Sequence, residues 1–286
     1  MKIVVIGGSG FLGSHVADKL TQAGHKVTIF DNKKSKWISK NQKMVVGDVL
    51  NLGDLDKVIS QCDVVYNFAA ISDIDEAENK PQVTANINII GTLNILELCK
   101  KYKIKRIMFA STIYVYSLEG NFYRCSKQAA ESFIEEYNRL FKLDYTILRY
   151  GSIYGPRSDN RNGLYKIIEA AIDKNEIIYE GDKEARREYI HVEDAADASV
   201  EMLEKKFKNQ NIILTGQQSL KVYDVMKMLS EILGIEKRLK FKDKKDSGHY
   251  SRTPYSYQPR LAKKYTPNVH FDLGQGLLQL IETIKK

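Results

Sequence analysis

Three Tyr–Lys pairs occur at i, i+4 spacing: Tyr123/Lys127, Tyr179/Lys183 and Tyr223/Lys227. On a helix that spacing puts both side chains on one face, and a phenol beside an ammonium is acid–base machinery. A free phenol titrates near ~10, too high for a base at neutral pH. A cation about 4 Å away contributes ~4 kcal/mol at an effective dielectric near 20, about three pKa units. That is expected to bring the phenol near neutrality, where a general base works best. The chain has 17 tyrosines, so chance pairs must occur and position has to decide among them. Tyr179-Glu-Gly-Asp-Lys183 spans a glycine turn, and Tyr223/Lys227 opens a helical stretch in the second half. Only Tyr123-Arg-Cys-Ser-Lys127 follows a strand that ends in hydroxyls, Ser111-Thr112. Cys125 falls between them on another helix face and is expected to pack.

A second chemical signal opens the chain. The apolar stretch Lys2–Ile6 runs into Gly7-Gly8-Ser9-Gly10-Phe11-Leu12-Gly13, and a helical stretch follows. Strand, glycine turn and helix start present backbone amides that hold a pyrophosphate at the positive helix end. Glycines there allow the tight turn, the close approach of phosphate and the packing of helix on strand. The next strand ends in Asp31, with Asn32 beside it. An acid at that point accepts hydrogen bonds from the adenosine ribose and repels a 2′-phosphate, which favours NAD over NADP. Lys33, Lys34 and Lys36 pull the other way, but solvated surface lysines weigh less than a well-placed acid. Asp48 and Val49, after the third strand, are expected near the adenine.

The elements that must position these residues follow from periodicity. Strand candidates are Lys2–Ile6, Lys26–Phe30, Met44–Val46, Val64–Asn67, Arg106–Ala110 and Tyr145–Arg149, with helical segments near 11–23, 54–60, 83–101 and 127–141. Alternating strands and helices imply an α/β, Rossmann-like, doubly wound parallel sheet with its ligand crevice at the carboxyl ends of the strands. After residue 150 the pattern is less regular. Helices are expected near 163–174, 193–207, 221–233 and 275–285, short strands near 177–179, 188–190 and 212–214, and a long polar loop over 243–260. The division that follows is an NAD-binding unit over 1–150 with a return segment near 188–207, and a smaller α/β substrate-binding unit over 151–286.

Composition narrows the class. The formal charge of +8 is spread over 286 residues, and 43% of them are hydrophobic. That is a mild basic bias on a globular chain, without the basic and aromatic array a nucleic-acid binder needs. There is no long apolar run for a membrane span. Cys62, Cys99 and Cys125 form no CxxC pair, and the five histidines show no metal-ligand spacing. These features suit a reduced, cytoplasmic, metal-free protein.

Taken in order, the residues resemble a family: the extended short-chain dehydrogenases/reductases that act on nucleotide sugars. The resemblance runs almost end to end. It covers the glycine turn, Asp31, Asp63-Val-Val-Tyr-Asn-Phe-Ala-Ala70, Asn86…Gly91-Thr92-Leu-Asn94, Ser111-Thr112 and Tyr123-xxx-Lys127. It continues through Leu148-Arg-Tyr-Gly-Ser-Ile-Tyr-Gly-Pro-Arg157 and Gly181-Asp182…Arg187-Glu-Tyr-Ile-His-Val-Glu-Asp194. The resemblance implies that Tyr123 is the general base, that Lys127 also holds the nicotinamide ribose, and that Thr112 hydrogen-bonds the reacting oxygen, with Ser111 as the fallback. It implies cofactor contacts from Phe68, Ala69, Ala70 and Tyr150. Arg187 matches an arginine that binds the substrate diphosphate, a group suited to a planar bidentate donor; Arg252 is a candidate second clamp. Arg149 reads as a buried structural partner.

The departures concern the sugar end. The stretch between Thr112 and Tyr123 is short for the family, and Gly151-Ser152 replaces an aromatic–Asn pair. Ile113-Tyr114 stands where 4,6-dehydratases carry an Asp-Glu acid–base pair, which argues against dehydration. The expectation is therefore NAD-dependent oxidation at C4 of a nucleotide-diphosphate sugar, leading to 4-epimerisation. A 4-dehydrogenase or 4-ketoreductase, or a non-catalytic NAD sensor, is the alternative. Helix 83–101 is apolar on more than one face, and Ala130, Phe133, Ile134, Tyr137, Leu140 and Phe141 form a second stripe. Two such faces call for a partner, so a homodimer is expected.

Overall fold

The computed structural model describes residues 1–242, 248–254, 263–265 and 267–285; the rest of the expected loop 243–260, with Lys244, Lys245 and Pro259, lies outside them. The strands in chain order are β1 (Lys2–Ile6), β2 (Lys26–Asp31), β3 (Gln42–Val46), β4 (Val64–Asn67), β5 (Arg106–Thr112), β6 (Tyr145–Tyr150), β7 (Ser152–Tyr154), β8 (Ile177–Glu180), β9 (Arg186–Arg187), β10 (Tyr189–His191), β11 (Gln210–Leu214), β12 (Leu220–Lys221), β13 (Leu239–Lys242) and β14 (Lys263–Tyr265). The helices are α1 (Phe11–Gln22), α2 (Leu52–Ile59), α3 (Ile74–Asn79), α4 (Pro81–Ala85), α5 (Gly91–Lys101), α6 (Asn121–Phe141), α7 (Gly163–Lys174), α8 (Val192–Glu201), α9 (Val222–Leu233) and α10 (Leu273–Ile284).

Eight strands form one sheet in the order β14-β11-β6-β5-β4-β1-β2-β3, and every pairing in it is parallel. The period-2 alternation of the strands sorts side chains to two cores. Ile3, Val5, Val64, Tyr66 and Met108 face α1 and α8. Val4, Ile6, Val65, Ile107 and Phe109 face α2, α5 and α6. Strands buried on both faces read as unbroken β-branched runs, which is why their positions show in the sequence. The sheet continues past residue 150 and past the return segment 188–207, because β11 and β14 extend its edge beyond β6. A separate cluster built on α7, α9 and α10, including Ile168, Val225, Leu229 and Leu280, packs the second half.

Two helices depart from expectation. The segment expected to be helical from 127 already begins at Asn121, after Gly120 at φ +89°, so Tyr123 and Lys127 share one helix. The stretch expected as a helix over 193–207 stops at Glu201, and Lys205–Phe207 is a separate 3₁₀ turn. Buried Arg106 donates to the carbonyls of Leu203 and Glu204 and so fixes the chain where the helix ends. Asn86–Ile90 is a π-helical turn leading into α5, an insertion often found at functional sites.

One buried ion pair fastens α6 to the sheet. Arg149 of β6 donates Nε and Nη2 to the two Glu131 oxygens at 3.0 and 2.6 Å, and both side chains are at most 1% exposed. Ser111 Oγ donates to the same carboxylate at 2.5 Å, and Arg149 Nη1 donates to the Tyr116 hydroxyl at 2.5 Å. Removing one partner of such a pair leaves a buried charge uncompensated, at a cost of about 3–5 kcal/mol. Glu131→Ala is therefore expected to lower the unfolding free energy by about that much in urea titration. A loss below about 1 kcal/mol would mean that α6 is held mainly by its apolar contacts.

Candidate active site

The carboxyl ends of β1, β2, β4 and β5 meet where the strand order reverses, at β1 and β4, the position of ligand crevices in such sheets. After β1, Gly7 takes φ +78°, and a Cβ there would lie 2.5 Å from the Ala69 amide nitrogen. A Cβ on Gly13 would lie 2.3 Å from the Gly7 carbonyl oxygen. Only glycine lets the turn after β1 abut the turn after β4 and lets α1 start this close. Gly10 is the N-cap of α1 and contributes no side-chain cap, and the first turn carries no acid. The positive helix end is thus left for an anion, flanked by half-buried Phe11, Leu12, Phe68, Ala69 and Ala70. Asp31 closes the turn: its Oδ2 accepts from the Ser9 amide at 3.0 Å and its Oδ1 from the Lys33 amide at 3.1 Å. Asn32 is exposed beside it, as is Asp48, whose Oδ1 accepts from the Leu50 amide; Val49 is buried next to it.

These features fit the expected cofactor. The glycine turn and bare helix end suit a pyrophosphate, and the Asp31 carboxylate suits ribose hydroxyls. Tyr150, for which the resemblance implies a cofactor contact, lies behind them. Its side chain is buried, its hydroxyl bonds Ser199 Oγ at 2.6 Å, and its ring sits 6.5 Å from that of Phe68.

The α6 stripe Tyr123, Lys127, Glu131 faces the ends of β5 and β6. Lys127 is buried, donates Nζ to the Ala110 carbonyl at 2.7 Å, and lies 5.9 Å from the Tyr123 ring centre. Thr112 is buried, its Oγ1 accepts from the Tyr114 amide at 3.3 Å, and its side chain faces the Tyr123 phenol. Ser111 is different: with its hydroxyl on Glu131 it serves the structural network, on the opposite face of β5 from Thr112. The fallback substrate role therefore falls away, since neighbouring strand residues point to opposite sides.

The electrostatics reverse one expectation. Burial pushes the Tyr123 phenol up to about 12, with the Thr112 hydroxyl pulling the other way. Burial also lowers the Lys127 ammonium to about 7, against the favourable charge of Glu131. The lysine was expected to bring the phenol near neutrality; in the ligand-free site burial dominates the phenol instead, and the same burial makes the ammonium itself costly.

At the sugar end, Arg187 is largely buried with its guanidinium 4.4 Å over the Tyr250 ring. Arg252 is exposed in the segment whose Ser251 carbonyl accepts from the Arg186 amide at 2.7 Å. Tyr255 and Tyr257, from the tyrosine-rich stretch 250–257, lie outside the described residues. Cys125 was expected to pack, but it is exposed.

Sequence reasoning left two organising residues unread. Buried Asn88, in the π-helical turn, bonds both backbone groups of Ile71 and donates to Ser126 Oγ at 2.8 Å, linking the turn after β4 to α6. Glu131 repeats the i+4 spacing from Lys127, a signal present in the sequence. Among the described residues, no cluster of His, Cys, Asp and Glu could hold a metal, and no helix is long and apolar enough to cross a membrane.

Comparison with known proteins now decides the class. The sequence model of the NAD dependent epimerase/dehydratase family matches residues 3–216. The chain belongs to that family. It is an NAD-dependent enzyme. A putative UDP-glucose 4-epimerase of Methanocaldococcus jannaschii is 30% identical, over 99% of this chain and 98% of the relative. A UDP-N-acetyl-alpha-D-glucosaminuronate decarboxylase of Bacillus cytotoxicus is 29% identical, over 81% of this chain and 80% of the relative. Among solved structures, the UDP-glucose 4-epimerase of Thermotoga maritima with UDP-glucose superposes with a TM-score of 0.87 at 27% identity, covering 100% of this chain and 99% of that one.

Tyr123→Phe, which removes only the phenol oxygen, is expected to lower kcat by at least ~10²-fold with little change in NAD affinity if that oxygen carries the proton. Tyr223→Phe, from a chance pair with an exposed tyrosine, is expected to stay within about twofold of the parent. Steady-state rates in which Tyr223→Phe is the slower of the two would reverse the catalytic assignment.

Proposed function

We propose that this enzyme is a UDP-sugar 4-epimerase. The observation that carries the reading is the assembly of Thr112, Tyr123 and Lys127 at the carboxyl end of β5, beside a glycine turn shaped for NAD. The UDP-glucose 4-epimerase relatives that match over nearly their whole length support the UDP-linked hexose. The absence of a carboxylate pair at Ile113-Tyr114 supports epimerisation over dehydration.

In this reading Gly7–Gly13 and the start of α1 hold the pyrophosphate, and Asp31 takes the adenosine ribose in preference to a 2′-phosphate. Lys127 holds the other ribose, and Arg187, with Arg252 at the rim, takes the substrate diphosphate. NAD, when bound, supplies a hydride acceptor that carries positive charge. That charge is what the buried phenol lacks, because it lowers the cost of an ionised Tyr123. Tyr123 then accepts the C4 hydroxyl proton as the C4–H bond breaks with its electron pair, leaving a 4-keto sugar. Thr112 hydrogen-bonds the reacting oxygen throughout. The glycine turn, Asp31 and Lys127 hold the cofactor as hydride is taken up and given back, and Tyr123, returning the proton to the keto oxygen, completes the C4 epimer with no net redox change.

The test is to incubate the enzyme with UDP-glucose and NAD while following NADH absorbance and product stereochemistry. UDP-galactose should form without accumulation of NADH. NADH rising in step with a released keto sugar would make the enzyme a dehydrogenase instead.

The active form is proposed to be a homodimer. Val83 and Ile90 on one helix run, and Phe133, Leu140 and Phe141 on α6, are all exposed. A spacing of seven residues places Phe133 with Leu140 on one stripe of α6, Val83 and Ile90 are exposed at the two ends of the run that includes the π-helical turn, and the two runs are neighbours through Tyr137 and Glu97. A second copy of the same surface would cover both by a two-fold operation. Light scattering should give twice the 32.7 kDa chain mass, and Phe133→Glu with Leu140→Glu should give the monomer. A parent already monomeric at micromolar concentration would contradict the assembly.

A further inference from the structure

Tyr114 stands two residues beyond Thr112, in the 3₁₀ turn Ile113–Tyr116. Its ring packs on Tyr250 at 4.9 Å between centres and on Gly120, where a Cβ would come within 2.7 Å of the ring. Its hydroxyl meets Nδ1 of His249 at 2.5 Å. That histidine comes from a segment tied across the site. The Gly120 amide donates to the Gly248 carbonyl at 3.0 Å and the Arg186 amide to the Ser251 carbonyl at 2.7 Å, while the Tyr250 hydroxyl approaches Ser152 Oγ at 3.5 Å.

Tyr114 also adjoins two of the proposed site residues. The Tyr250 ring on which it packs lies 4.4 Å from the Arg187 guanidinium, and its own amide donates to Oγ1 of Thr112, the hydroxyl that faces the Tyr123 phenol. A substrate bridging Arg187 and Tyr123 has its sugar ring between them.

We propose that Tyr114, locked by His249, is a specificity residue that receives the sugar ring of the substrate. This rests on the nucleotide-sugar reading above. Whichever of the phenol and His249 Nδ1 carries the shared proton, the Tyr114 oxygen keeps a lone pair that accepts from a sugar hydroxyl. The residue thus contributes affinity for the hexose and none for the nucleotide.

Calorimetry on the NAD-loaded enzyme separates these contributions by comparing UDP-glucose with UDP. In the parent, UDP-glucose should bind more tightly than UDP. Tyr114→Phe should shrink that gap by about tenfold, the worth of one hydrogen bond, while UDP and NAD affinities stay within about twofold. In turnover the same variant should raise KM with a smaller effect on kcat. His249→Ala should weaken UDP-glucose by about threefold, and His249→Gln, which keeps an acceptor for the phenol, should recover most of it. An unchanged gap in Tyr114→Phe overturns the proposal, as does an equal loss for UDP, which would make Tyr114 a support for the 248–251 segment. If UDP-glucose fails to bind the parent more tightly than UDP, the nucleotide-sugar reading fails instead, and the variants are not needed to see it.

Discussion

The active site depends on a buried ion pair that touches neither of its proposed ligands. Arg149 and Glu131 lock α6 against β5 and β6 with two charge-assisted hydrogen bonds. Because Tyr123, Lys127 and Glu131 repeat at four-residue intervals, fixing the third fixes the azimuth of the other two. A helix rotated by one residue, about 100°, would turn the phenol away from Thr112. The same network recruits Ser111 and Tyr116, so the end of β5 and the turn after it are held by the groups that hold the helix. A buried pair contributes little net stability compared with apolar packing, and its use here is geometric.

That burial has an electrostatic consequence for the chemistry. The ligand-free site holds a phenol raised to about 12 and a lysine lowered to about 7, both opposed to the formation of charge. In the proposed mechanism the positive charge that offsets this burial would come with the cofactor.

Much of the fold was legible because its strands are buried on both faces and its helices on one. The runs at Lys2–Ile6 and Val64–Asn67 match the strands residue for residue. The start of α6 was not legible. Phe122, Tyr123, Arg124 and Cys125 carry no capping signal, and the boundary is set by Gly120 in a left-handed conformation against the Tyr114 ring. The glycine turn and the Tyr123/Lys127 pair could be read because their chemistry is local in sequence. The partners of the Ser111 and Tyr150 hydroxyls, Glu131 and Ser199, come from distant helices and were not legible. The Tyr114–His249 contact joins residues 135 positions apart, a pairing that no local pattern encodes.

The central claim is that one tyrosine moves the proton while the C4 hydrogen leaves and returns within a single binding event. UDP-glucose carrying deuterium at C4 tests it most directly, with the product examined by mass spectrometry and proton NMR. The account predicts UDP-galactose with the deuterium retained at C4 and no exchange with solvent. Loss of the label to water, or its recovery in free reduced cofactor, would contradict it.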